Sequence, residues 1–143
     1  MKKVSISAFK VAGFTLIELM IAIAIVAVLA TLSFSGIENH VMRTRRADAQ
    51  TALMELAHFM ERTYATNGSY FINGASPALP FTATPRDSNN PSYQITLARI
   101  TAQTYTLRAR PTAGGGQNND PCGTLTLAHT GETTPTTNNC WVQ

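Results

Sequence analysis

Gly13-Phe14-Thr15-Leu16-Ile17-Glu18-Leu19 sets one carboxylate near the start of an apolar run that continues to Phe34. From Leu19 to Ile37 no residue carries a charge. About 20 apolar residues in a helix cross the roughly 30 Å hydrocarbon core of a bilayer, so the run is expected to span a membrane. A cleaved secretory signal fits less well, because its apolar core is only about 7–15 residues long and directly follows the basic region. Here Lys10, Ala12 and Gly13 intervene. Val28-Leu29-Ala30 could pass as a small-residue cleavage site, but the length of the run and Glu18 disfavour it. An unpaired charge in hydrocarbon costs at least a few kcal/mol. Glu18 therefore either reaches the headgroups or meets a partner.

Working outward, Lys2, Lys3 and Lys10 precede the run and favour a cytoplasmic N-terminus, while Arg43, Arg45 and Arg46 weigh at its other end. The formal charge of +3 comes from eleven basic and eight acidic residues. Without Lys2, Lys3 and Lys10 the two signs balance at eight each, so the basic charge of the whole chain is weak support for a nucleic-acid partner.

The segment Gly13 to Leu19, behind a short basic leader and ahead of an apolar helix, closely resembles the type IV prepilin signature. The resemblance implies a leader at 1–13, cleavage by a prepilin peptidase between Gly13 and Phe14, and N-methylation of the new Phe14 amine. It also implies that Glu18 sets the register of assembly by meeting the Phe14 amine of a neighbouring subunit. Physics gives a reason for the spacing: the amine and the acid are about one helical turn apart, and both must enter an apolar bundle. Such a buried pair contributes little net stability, whereas a mismatched subunit would leave a charge unpaired at a cost of several kcal/mol. Type IV pilins often have Gly where this chain has Ala27 and Pro where it has Ser35. Gly36 is then the remaining weak point, and at most a modest bend is expected near Ser35-Gly36.

Beyond the apolar segment 14–37, Met42, Ala49, Leu53, Leu56, Met60 and Tyr64 recur at helical spacing and draw one apolar stripe. Arg43, Asp48, Glu55 and Arg62 fall off it. An amphipathic helix over 38–67 is predicted, with Asn67-Gly68 as its stop. Residues 68–92 hold Pro77, Pro80, Pro85 and Pro91 and read as a long loop with few elements of its own. Strand alternation follows at Tyr93 to Leu97, Tyr105 to Arg110 and Gly123 to Leu127, with a turn near Gly131. The fold class is thus α+β: a long N-terminal helix on a small antiparallel sheet of three to four strands, within a head of residues 68–143. Cys122 and Cys140 lie in the part expected to be exported, where two cysteines usually pair, giving a C-terminal disulfide loop. Such a bridge contributes about 3 kcal/mol in the chain-entropy model.

Arg45-Arg46-Ala47-Asp48-Ala49, Asn67-Gly68-Ser69-Tyr70, Cys122-Gly123-Thr124-Leu125-Thr126 and Cys140-Trp141 extend the likeness to PilE-like type IVa pilins. This resemblance implies a structural subunit, a minor pilin, that serves pilus biogenesis, twitching motility and surface adhesion. Its partners would be other pilin subunits, the prepilin peptidase, an inner-membrane assembly platform and, before assembly, membrane lipid. It would start as a single-pass inner-membrane protein and end in a cell-surface pilus. Arg108 and Arg110, two apart on a strand, would point to one side and could join Arg99 in a basic patch. That patch supports an alternative, a competence pilin that takes DNA as partner; the plainer reading is a solvated face or a subunit contact. A pseudopilin of a secretion machine is a third reading, set against by the cysteine pair. His40, His58 and His129 have no zinc-like spacing, and no nucleophile sits near a base. Gly114-Gly115-Gly116 lacks the strand and helix of a phosphate-binding loop. No metal, cofactor or enzymatic activity is expected.

Overall fold

The computed structural model describes residues 13–136 and 139–141, and of 31–36 the backbone alone. The expected leader, apart from Gly13, lies outside the described residues, as do the side chains at the expected bend Ser35-Gly36. Helix α1 runs Leu16–Asn67, followed by β1 (Ala83–Thr84), β2 (Tyr93–Ile100), β3 (Tyr105–Pro111), β4 (Leu125–Ala128) and β5 (Thr133–Thr134). The chain divides into two compact units, Met1–Glu38 and Asn39–Gln143.

In the second unit α1 behaves as an amphipathic helix. Ala49, Leu53, Leu56 and Met60 have no exposed surface, whereas Arg43, Asp48, Glu55 and Arg62 face solvent. Full burial of each large apolar side chain stabilises the fold by about 1.5–3 kcal/mol. The helix stops where the sequence says it should. Gly68 takes a left-handed conformation (φ 67°), and its N–H donates to the Tyr64 carbonyl at 2.7 Å. A side chain there would be strained, which is why glycine ends the helix.

The five strands form an antiparallel meander in the order β1-β2-β3-β4-β5. Tyr93 and Ile95 on β2, Leu107 and Ala109 on β3, and Leu125 on β4 are fully buried and share one core with the helix stripe. The two-residue strands β1 and β5 bring the expected three or four to five, and are too short to show any alternation. The stretch 68–92 is a long loop with few elements, as expected: the two-residue β1 and an isolated bridge that joins Ile72 to Ala75. The strand expected from Gly123 begins at Leu125. Gly123 is left-handed (φ 56°) and its N–H donates to the Asp120 carbonyl, so it closes a turn instead.

One irregularity bears on function. β2 and β3 pair Leu97 with Leu107, and then Arg99 with Thr106, so the register shifts between them. Strict alternation along β2 would turn Arg99 toward the core with Tyr93 and Ile95. The bulge resets the parity, so that Arg99 is exposed and Ile100 packs against the core.

Candidate functional site: the N-terminal segment, the head lock and a basic sheet face

Gly13, Phe14 and Thr15 precede the helix, and among the described residues nothing lies within 4 Å of the position a Gly13 Cβ would take. Phe14 is 82% exposed among the described residues. Thr15 caps the helix: its Oγ1 accepts the Glu18 N–H at 3.3 Å, and its carbonyl accepts the Leu19 N–H at 3.2 Å. Thr15-Leu16-Ile17-Glu18 is thus a threonine cap with an acid three residues on, the pairing that favours a helix start and places negative charge at its positive end. The cap ties Glu18 to a fixed place in the first turn. Beyond it Leu16, Ile17, Leu19, Met20, Ile21, Ile23, Ile25, Val26, Val28 and Leu29 are all more than half exposed. Exposed apolar side chains on every side of a helix require lipid or other chains to cover them. Among the described residues no helix is long and apolar enough to cross a membrane; the expected span continues into 31–36, whose side chains are not described.

The second unit is locked by a buried charge. Arg46 on α1 grips Asp120 with two hydrogen bonds, Nε to Oδ2 at 3.0 Å and Nη2 to Oδ1 at 2.6 Å. The Tyr93 hydroxyl donates to Oδ2 at 2.6 Å, the Gln117 amide at 2.9 Å, and the Cys122 N–H donates to Oδ1 at 3.0 Å. Burial on its own pushes the Asp120 carboxyl up, but the Arg46, Tyr93, Cys122 and Gln117 donors outweigh it and hold it below its ordinary value. Burial first, then the bond to Asp120, pushes the Tyr93 hydroxyl well up. Gln117 also donates to the Met42 carbonyl at 2.9 Å, while its own Oε1 is buried without a partner among the described residues. Two residues past Asp120, Cys122 is bridged to Cys140, as expected, and the Gln50 amide donates to the Cys140 carbonyl at 2.5 Å. The Asp120 carboxylate and the Cys140 carbonyl thus fasten the disulfide-bridged segment to the helix.

A family profile described as "Type IV minor pilin ComP, DNA uptake sequence receptor" matches residues 37–126, and one for the prokaryotic N-terminal methylation motif matches residues 9–34. The chain belongs to the type IV minor pilins. A type IV pilin from Shewanella oneidensis is 36% identical over 71% of this chain and 99% of that one, with a TM-score of 0.52. The Neisseria meningitidis non-core minor pilin PilV is 23% identical over 71% and 94%, with a TM-score of 0.49. No curated protein sequence matches. The family and its fold are structural, and the chain is a pilus subunit.

On this pilin the three arginines singled out in the sequence share the outer sheet face. Arg108 lies opposite Thr96 on β2 and Thr126 on β4, Arg110 opposite Gln94, and Arg99 opposite Thr106. No strand residue is acidic. The sequence reading placed Arg108 and Arg110 on one side from their spacing, but the bulge that brings Arg99 to them left no mark in it. It also missed the Asp120 network and the role of Glu61, whose Oε1 accepts the hydroxyls of Tyr70 at 3.0 Å and Tyr105 at 3.1 Å. The signal available for the first was Asp120 placed just before Pro121-Cys122; its partner lies 74 residues away.

Proposed function

We propose that this minor pilin is inserted in the inner membrane with its N-terminus in the cytoplasm, cut between Gly13 and Phe14 by a prepilin peptidase, N-methylated on Phe14 and added to a type IVa pilus. Its apolar half-helix then exchanges lipid for the helices of other pilin subunits, on an inner-membrane assembly platform. The Phe14 amine and the Glu18 carboxylate of successive subunits set the axial register, because a misplaced subunit leaves one of them unpaired in an apolar bundle. The observation that supports this reading is a helix start uncovered on every side, with Thr15 capping the backbone N–H of Glu18, the one acidic residue of the first turn. Twitching motility and surface adhesion are the behaviours such a pilus serves. Fractionation of sheared pili tests the mechanism. Glu18→Gln and Glu18→Ala chains are expected in membranes and absent from pili; incorporation of both at the parental level removes Glu18 from it.

A second reading is favoured by the basic face and by the description of the matching family: a competence pilin that contacts DNA through Arg99, Arg108 and Arg110. Three phosphate contacts would give a salt slope of about −2.7 in log affinity against log salt. Filter binding with duplex DNA decides it. The slope should flatten in the triple Arg→Gln variant, and salt-insensitive or unchanged binding rejects this use of the face.

A further inference from the structure

The glycine triplet after β3 packs against the loop that leads into β2. A Cβ on Gly115 would stand 2.4 Å from both the Pro91 carbonyl oxygen and the Ser92 Cα, so only glycine allows this approach. A Cβ on Gly116 would stand 3.2 Å from Arg45 Nη1, and one on Gly114 would stand 3.3 Å from Asn90 Oδ1. Between them lies a cup of about 420 Å³ whose polar lining is Arg45, Ser88, Asn90 and Ser92. Side chains at Gly114 and Gly116 would narrow it.

Arg45 is half-buried here, and Nη1 donates to the Gly115 carbonyl at 2.6 Å. A guanidinium has five donors, and this bond uses one. Among the described residues the ion pairs are Arg46 with Asp120 and Arg86 with Glu55, so Arg45 has no counter-charge. A partly desolvated cation gains by meeting an anion. The rest of the lining narrows the choice. One planar cation matches one carboxylate in a two-pronged contact better than a chain of phosphates. No aromatic side chain lines the cup, so there is no platform on which a nucleobase could stack. Ser88 Oγ accepts the Asn90 N–H at 3.1 Å and keeps its own hydrogen to donate, and the Asn90 amide can both donate and accept. These groups suit neighbouring hydroxyls.

We propose that this cup binds a singly charged, hydroxyl-rich ligand: an acidic sugar whose carboxylate meets Arg45 and whose hydroxyls meet Ser88 and Asn90. The volume lies within the roughly 300–1,000 Å³ typical of small-ligand sites. The site would give the minor pilin a chemistry for surface attachment that the basic sheet face does not share. It needs neither cleavage nor assembly, so its failure and that of the proposed function are separable.

The test is calorimetric titration of the full chain, held in a polyoxyethylene detergent that contains no sugar, with glucuronate, glucose and inorganic phosphate. Glucuronate is expected to bind saturably, and glucose and phosphate at least about tenfold more weakly. Arg45→Gln should weaken glucuronate about tenfold or more, Asn90→Ala by a smaller factor, and the exposed Arg62→Gln not at all. Asn90→Ala leaves the Arg45–Gly115 contact in place, so it decides the matter should Arg45→Gln fail to fold. Absence of saturable glucuronate binding, equal binding of glucose or phosphate, or unchanged binding in Asn90→Ala would overturn the assignment.

Discussion

One helix in this chain serves two opposite solvents. Between Leu16 and Leu29 its large apolar side chains are exposed on every side, whereas between Arg46 and Thr63 one face is buried and the other is charged. Both stretches are helical, yet only the second carries an amphipathic period. A helix that covers one face on its own sheet is finished as a structural element. A helix that is apolar all round is unfinished until lipid or other chains cover it. The contrast separates residues that hold the fold from residues that build the polymer.

That separation can be broken most forcefully at the carboxylates. Asp120→Ala leaves the Arg46 guanidinium buried and uncompensated, and should lower unfolding free energy by about 3–5 kcal/mol in urea denaturation of the full chain in nonionic detergent, followed by Trp141 fluorescence. Glu18→Ala in the same assay should change it by no more than about 0.5 kcal/mol, since an exposed side chain is removed. Next come the leucines. Leu53→Ala should cost about 2–5 kcal/mol, whereas Leu19→Ala should leave head stability within about 0.5 kcal/mol, and equal losses would erase the distinction between the two stretches. Reducing the Cys122–Cys140 bridge comes third, at about 3 kcal/mol, seen as a lower urea midpoint with dithiothreitol.

The smallest effects are those of pH. Asp120 is held below its ordinary pKa of 3.8, so its contribution is fully present above that value and fades as pH falls through the lower folded one. Tyr70 is pushed up from 10 to about 12, first by burial and then by its bond to Glu61. Its contribution is complete below pH 10 and is lost as pH rises toward 12, because the unfolded chain ionises first. Tyr70→Phe should therefore show a shallower alkaline decline of stability than the parent, and an equally steep decline would assign the loss to other groups.

Much of the second unit was legible because its signals are local. The stripe from Ala49 to Met60, the Asn67-Gly68 stop and the alternation of Tyr105 to Ala109 are each set by neighbouring residues and their backbone geometry. What was hidden depends on partners far along the chain. Asp120 looks like any loop acid until Arg46, 74 residues earlier, is brought to it, and no propensity encodes that meeting. The bulge before Arg99 is likewise decided by how β2 and β3 fit together, and strict alternation would have turned that arginine inward. The glycine triplet was rightly set aside as a phosphate-binding loop, but its packing was hidden: Gly115 admits Pro91 and Ser92 at close quarters, and Gly116 lies beside Arg45. At the N-terminus the motif was legible at once, while the capping role of Thr15, which fixes Glu18 in the first turn, emerged only with the backbone.

In the proposed assembly the apolar half of the helix begins with a new amine at Phe14, ready to answer Glu18 on another subunit. Mass spectrometry of the chain recovered from sheared native pili reads this directly. A first residue of N-methylated Phe14, with Met1 to Gly13 gone, is the expected result. Material that still begins at Met1 would contradict it.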